Sequence, residues 1–81
     1  LIFPITRFAR VNSIQDQCAH VLTEAQEAFD EQDPHLKAME LYDNIHSSET
    51  GLEILRVVFG VDLEKAKADV IAKNLKRGYY N

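Results

Sequence analysis

Apolar residues recur at helical intervals in three stretches of this chain, which predicts an all-α fold. Ile14, Cys18, Val21, Leu22, Ala25, Ala28 and Phe29 mark the first stretch. Asn12 and Ser13 stand before it as N-cap residues, so a first helix is predicted over about residues 13–31. His20, Glu24, Glu27 and Glu31 form a separate polar stripe on one flank. Asp33-Pro34 restarts the chain, with a capping acid followed by proline at the first helical position. The second helix is predicted to run to Phe59 and end at Gly60, with Ser47, Ser48 and Gly51 as places where it bends or breaks. At about 1.5 Å per residue it is nearly 40 Å long. Asp62 caps a third helix, whose inward face is predicted to be Leu63, Ala66, Val70 and Ile71. Lys67 and Asn74 project near that face and Arg77 lies at its edge. Gly78 ends the helix, leaving residues 79–81 as a tail. Residues 1–11, interrupted by Pro4, read as an extended arm. No repeat, low-complexity tract or linker divides residues 1–81, so one domain is expected.

The apolar residues of the second helix keep to no single side. Leu41, Ile45, Leu52 and Phe59 mark one face, Met39 and Tyr42 another, and Leu36 and Ile54 lie near an acidic stripe. A helix that is apolar in several directions is buried on several sides. Three helices of one short chain hardly provide that, and a chain of this size buries only about 60% of its unfolded surface. A second subunit is therefore expected on this helix. The expected architecture is a helical hairpin plus a third helix, forming a four-helix-bundle-like core in a homodimer or homotetramer.

The single cysteine rules out an internal disulfide. Within the apolar pattern Cys18 reads as a buried free thiol, and a reducing cytoplasmic setting is expected. No run of about 18 apolar residues is present, so no membrane span is expected. The opening "LIFPITRF" is too short for a signal peptide and lacks its flanks. A start at Leu1 reads as a fragment or a trimmed chain. The net charge of −4 argues against a nucleic-acid polymer as partner, because that needs a basic face. Acids concentrate between Asp16 and Glu53, while Lys65, Lys67, Lys73, Lys76 and Arg77 gather near the end. A metal-holding half and a phosphate-holding end would look like this, and so would ordinary solvated faces.

Two acidic pairs carry the candidate chemistry. Glu24/Glu27 and Glu40/Asp43 each have i,i+3 spacing, which puts two carboxylates on one stripe of a helix. A tight turn at Asp30–Pro34 lies between them, so an antiparallel hairpin can bring all four together. Four carboxylates at one point raise each other's pKa unless a cation sits among them. Oxygen ligands of this kind suit Mg²⁺, with Mn²⁺ as an alternative. Glu40 and Asp43 weigh more because Leu36, Met39, Leu41, Tyr42 and Ile45 surround them. Burying unpaired carboxylates is costly, so either a cation or bases such as Lys37 must compensate.

The order and spacing resemble the MazG-type all-α nucleotide pyrophosphohydrolases. Their motif is EExxE on one helix and ExxD on the next. Here Thr23-Glu24-Ala25-Gln26-Glu27 precedes Glu40-Leu41-Tyr42-Asp43, with Thr23 in place of the first glutamate. The stretches "IHSSETGLEIL" and "GVDLEKAKADVIAKNLKRGYY" are similar to small, phage-type members, and the resemblance covers about residues 13–80. It implies Mg²⁺-dependent cleavage of a nucleoside triphosphate between the α and β phosphorus atoms, giving a monophosphate and pyrophosphate. Glu24, Glu27, Glu40 and Asp43 would be the metal ligands, with Glu24 or Glu27 doubling as catalytic base. Lys67, Asn74 and Arg77 are the candidate substrate contacts, Lys67 as a point charge and Arg77 as a fork for phosphate oxygens. Lys73 faces outward and is the weaker choice.

Other readings stay open. A phosphoribosyl-ATP pyrophosphohydrolase resembles the same bundle. A noncatalytic oligomerisation or regulatory module with a degenerate site fits the small size and Thr23. Asp43 and His46 form a carboxylate-xx-His pair as in di-iron bundles, but no second such repeat is present. His20 and His35 read as surface histidines. Glu49, one turn beyond His46, is a minor candidate for holding substrate or water. Tyr79 and Tyr80 read as packing residues, with stacking on a nucleobase as the alternative.

Overall fold

In the computed structural model, which describes residues 1–80, three helices follow one short 3₁₀ turn. The tail residue Asn81 lies outside the described residues. The 3₁₀ turn spans Arg7–Arg10, α1 spans Ile14–Asp30, α2 spans Pro34–Phe59 and α3 spans Leu63–Lys76.

Local chemistry sets these limits. The Ser13 hydroxyl accepts the Asp16 N–H at 3.0 Å, and the Asp33 carboxylate accepts the Leu36 N–H at 2.9 Å. Asp62 caps α3 in the same way, accepting from Lys65 N–H at 3.0 Å. Each cap supplies an acceptor to an amide that has no partner within its helix. Gly60 ends α2 in the left-handed region at φ 67°, where an L side chain is strained. Lys37 reaches back across the turn and donates to the carbonyls of Ala28 at 2.7 Å and Phe29 at 3.3 Å. It thereby closes the C-terminus of α1 and ties the two helices into a hairpin.

α2 runs unbroken through Ser47, Ser48 and Gly51, so the helix does not break there. Ser47, Thr50, Gly51 and Ile54 face α1 and are buried. Small side chains here let the helices approach closely, so they serve the seam instead of interrupting the helix. On α1 the row turned toward α2 is Ile14, Gln17, Val21, Glu24 and Ala28, with Gln17 and Ala28 fully buried. The apolar residues Cys18, Leu22, Ala25 and Phe29 fall on the outer flank. Cys18 is exposed, not buried as its apolar neighbours suggested.

The seam is therefore markedly polar. Ala28 and Ile54 are its fully buried apolar side chains, whereas Gln17, Ser47, Thr50 and Glu53 are buried polar ones. Ile54 supplies about 1.5–3 kcal/mol by burial. Hydrogen bonds do much of the remaining work of registration. Gln17 donates to the Ser47 carbonyl at 2.9 Å, Asn12 donates to Gln17 at 2.9 Å, and Asn44 donates to the Val21 carbonyl at 3.2 Å.

The N-terminal arm is pinned along α2. The Glu49 carboxylate accepts the amides of Ile2 and Phe3, both at 2.8 Å. His46 Nε2 meets the Pro4 carbonyl at 3.0 Å, and the Phe3 ring stacks on the His46 ring with centroids 4.6 Å apart. Glu49 is thus engaged with the arm. Burial works against its charge, but the two amides together with the positive charge of the nearby amino terminus and His46 outweigh it and hold its pKa below the ordinary value of 4.5.

α3 stands apart. It buries none of its residues, and Val70 and Ile71, expected to face inward, are each 48% exposed. Tyr79 and Tyr80 are also exposed, with the Arg77 guanidinium 5.9 Å from the Tyr79 ring centroid. The radius of gyration is 14.2 Å, against about 12 Å for a compact chain of this length. A hairpin with a detached third helix is what one chain forms.

Two predictions follow from the seam and the arm. A Cβ on Gly51 would lie 3.6 Å from Gln17 Cγ and 3.8 Å from Ile14 Cδ1, which is ordinary contact. Gly51→Ala should therefore stabilise the chain by about 0.5–1 kcal/mol, read as a rise in the thermal midpoint; a fall would show a tighter seam than this one. Glu49→Ala should free the arm, so that the amides of Ile2 and Phe3 lose protection in hydrogen exchange. In the native chain the lowered pKa gives stability that is present above pH 4.5 and is lost as pH falls through the lowered value. Arm protection that is flat with pH would contradict the clamp.

Candidate metal centre

The hairpin register decides which acids meet. Glu24 belongs to the seam row of α1, and Glu40 and Asp43 lie on the facing side of α2, one turn apart. The structure brings Glu24, Glu40 and Asp43 together, with one carboxylate oxygen from each lying within 4.8 Å of the others. Glu24 and Glu40 are half-buried, and Asp43 is exposed. Glu27 stands beside Glu40, within hydrogen-bonding reach of it.

Glu40 carries the electrostatic strain of the group. Burial raises its pKa above the ordinary value of 4.5, and the charges of Glu27, Asp43 and Glu24 push in the same direction. Its Oε2 atom is enclosed and receives no hydrogen bond. Buried carboxylate oxygens without a donor are uncommon and call for compensation.

Bases of the chain do not provide it. Lys37 spends its ammonium on the α1 carbonyls. Among the described residues the other ion pairs are Arg56–Glu53, Lys65–Asp69 and His20–Glu24. Only the last touches the cluster, with His20 Nε2 at 2.9 Å from Glu24 Oε1. Ser47 offers Glu24 a long hydroxyl contact at 3.5 Å. The donor set is all oxygen, anionic and converging, which fits a hard divalent cation.

A cleft of about 240 Å³ opens beside the acids. Gln17, Ser47 and Thr50 form its floor, and Glu24, Asp43, His20 and His46 its walls. Thr6 and Phe8 of the arm close one side, with Thr6 and Thr50 hydroxyls 3.0 Å apart. The pinned arm therefore shapes the cleft. His46 is committed to Pro4 and Phe3, which leaves Asp43-xx-His46 without the free imidazole that a di-iron reading requires.

The remaining candidates lie elsewhere. Lys67 and Asn74 are on α3 and Arg77 is its C-cap residue, and none lines the cleft; Asn74 is half-buried and the other two are exposed. Thr23 turns its hydroxyl back to the Ala19 carbonyl at 3.3 Å and takes no part in the cluster. Sequence reasoning missed Gln17, Ser47 and Thr50 in the cleft floor. Their signal was the three- and four-residue spacing of small and polar positions along the seam. His20 could have been found from its i,i+4 spacing to Glu24.

No protein-family model, no curated protein and no solved structure matches the chain. No described helix is long and apolar enough to cross a membrane.

Because the folded state favours neutral Glu40, the metal-free fold draws most stability from this group below pH 4.5 and loses it as pH rises through the raised value. A divalent cation opposes that loss. Mn²⁺ or Mg²⁺ at ten times its dissociation constant should stabilise the chain by about 1.4 kcal/mol at neutral pH, several degrees of thermal midpoint. The shift should shrink as pH falls and Glu40 takes up its proton. Glu40→Gln should raise the metal-free midpoint and erase the metal-induced shift; an unchanged shift would place the ion elsewhere.

Proposed function

We propose that the chain is a Mg²⁺-dependent nucleoside triphosphate pyrophosphohydrolase, with Mn²⁺ able to replace Mg²⁺. One observation carries the reading: the convergence of Glu24, Glu40 and Asp43, with Glu27 beside them, on a seam that supplies almost no countercharge. Three of the four acids in the motif that resembles the MazG-type enzymes, Glu24, Glu40 and Asp43, are the residues that converge.

Glu24, Glu40 and Asp43 would hold the ion. When bound, it neutralises phosphate charge and polarises the bond to be broken. The chain's own residues supply the rest. Acids alone would repel a triphosphate, so its approach depends on the loaded cluster. Glu27, exposed and beside Glu40, would take a proton from the water that attacks the α phosphorus. The α–β bridge then breaks and pyrophosphate departs. A positioned general base of this kind contributes about 10²–10⁴ in rate. Glu24 is the alternative base, with His20 on its Oε1 to receive a proton in turn. Lys67, Asn74 and Arg77 remain the proposed phosphate and nucleotide contacts; Lys67 and Arg77 are exposed and Asn74 is half-buried.

A second reading, a noncatalytic helical module, draws on Thr23, which is bonded to its own helix, and on a cleft lining that includes neither Lys67 nor Arg77. Its prediction is metal binding without turnover. A pyrophosphate-release assay over canonical and damaged nucleotides, with phosphoribosyl-ATP included, separates these possibilities. Turnover of nucleoside triphosphates is expected, and turnover of phosphoribosyl-ATP alone would assign the related reaction instead. Glu40→Ala and Asp43→Ala should each lower turnover by about a hundredfold or more while helical circular dichroism is retained. Full turnover in either variant would refute the assignment of the site.

A further inference from the structure

We infer that Arg7, on the pinned N-terminal arm, is the cation that receives the phosphate tail of a metal-bound triphosphate at the acidic cleft. This rests on the pyrophosphohydrolase reading and adds a binding residue to it. The need for such a residue comes from charge. A triphosphate is strongly anionic, and so is the meeting point of Glu24, Glu40 and Asp43. One divalent ion does not neutralise both. A further cation at the rim of the cleft favours the approach of an anionic substrate. Neither Lys67 nor Arg77 lines the cleft.

The arm lies on the other side of the same cleft. Thr6 and Phe8 line it together with Glu24 and Asp43. The guanidinium carbon of Arg7 is 5.1 Å from the centroid of the Phe8 ring, which is a cation–π contact. Arg7 is exposed and enters no ion pair among the described residues. Resting on a ring occupies a face of the guanidinium. Its N–H groups lie in the plane, so the fork stays open to phosphate oxygens.

The turn that carries Arg7 is braced at both ends. Upstream, Glu49 accepts the amides of Ile2 and Phe3, and the Thr6 and Thr50 hydroxyls are 3.0 Å apart. Downstream, the Asn12 amide donates to the Phe8 carbonyl at 2.9 Å. The Asn12 side chain donates to Gln17, which donates in turn to the Ser47 carbonyl of α2. A side chain presented from a braced turn loses less freedom on binding than one on a loose arm. Arg10 closes the same turn and is also exposed, but it has no such seat on the cleft lining. The two arginines therefore differ in place and not in charge.

Isothermal titration calorimetry with the preformed Mg²⁺ complex of inorganic tripolyphosphate tests this without requiring turnover. The native chain should bind the complex saturably. Arg7→Ala, at an exposed position compatible with the fold, should weaken that binding by about tenfold or more, with helicity and Mn²⁺ binding retained. Arg10→Ala removes the same charge from the same turn and should weaken it by about threefold or less. Three results overturn the inference and leave the metal centre standing. They are native affinity in Arg7→Ala, an equal loss in both variants, and a native chain that binds Mn²⁺ but not the complex. A native chain that binds no Mn²⁺ overturns the catalytic reading and this inference with it.

Discussion

Repulsion among carboxylates at the hairpin seam is the constraint on which the rest of this structure turns. Glu24 and Glu40 sit where two helices meet, Asp43 and Glu27 stand beside them, and one Glu40 oxygen is enclosed without a donor. Burial and like charge act in the same direction on Glu40. A chain with so few buried apolar side chains has little stability to set against this. Small proteins tolerate such an arrangement when a ligand or partner binds the folded form and not the unfolded one. The acidic cluster and the many exposed apolar side chains leave this fold with little internal compensation for the repulsion.

The seam shows how the fold places its chemistry. Gln17, Ser47 and Thr50 hold the helices close through hydrogen bonds and small volume, not through apolar bulk. That closeness is what lets short acid side chains from opposite helices converge. The arm then frames the cleft, held by Glu49 and His46. Acids of similar sequence context have separate duties here: Glu49 binds backbone amides, Glu53 pairs with Arg56 and is held below the ordinary carboxyl range, and Glu40 has neither kind of partner.

Features governed by local chemistry were legible in the sequence. Ser13, Asp33-Pro34, Gly60 and Asp62 mark helix ends because a cap needs only its own few neighbours. The i,i+3 acid pairs and the intervening turn were likewise enough to suggest a meeting of carboxylates. The inward face of α1 was only partly legible. Ile14, Val21 and Ala28 of the apolar pattern lie on the seam row, but Leu22 and Phe29 lie on the outer flank, and the seam row also contains Gln17 and Glu24. Pattern reading assigns apolar residues to the core of the same chain, and it fails where they are exposed in that chain. The same logic misplaced Cys18 and the inner face of α3. Gly51 and its serines read as breakers because sequence alone does not show the helix packed against them. The duty of Glu49 was hidden for a simpler reason: its partners lie 46 and 47 positions away.

A paramagnetic ion offers the most direct test of the central claim, since it reports binding whether or not any reaction follows. In a Mn²⁺ titration at neutral pH, followed by electron paramagnetic resonance, the free-ion signal should be quenched with saturable stoichiometry by the native chain. The signal should return when Glu40 and Asp43 are both replaced by alanine. A native chain that leaves the Mn²⁺ signal at full height throughout the titration would contradict the account, because carboxylates so arranged would then be held together by something other than a cation.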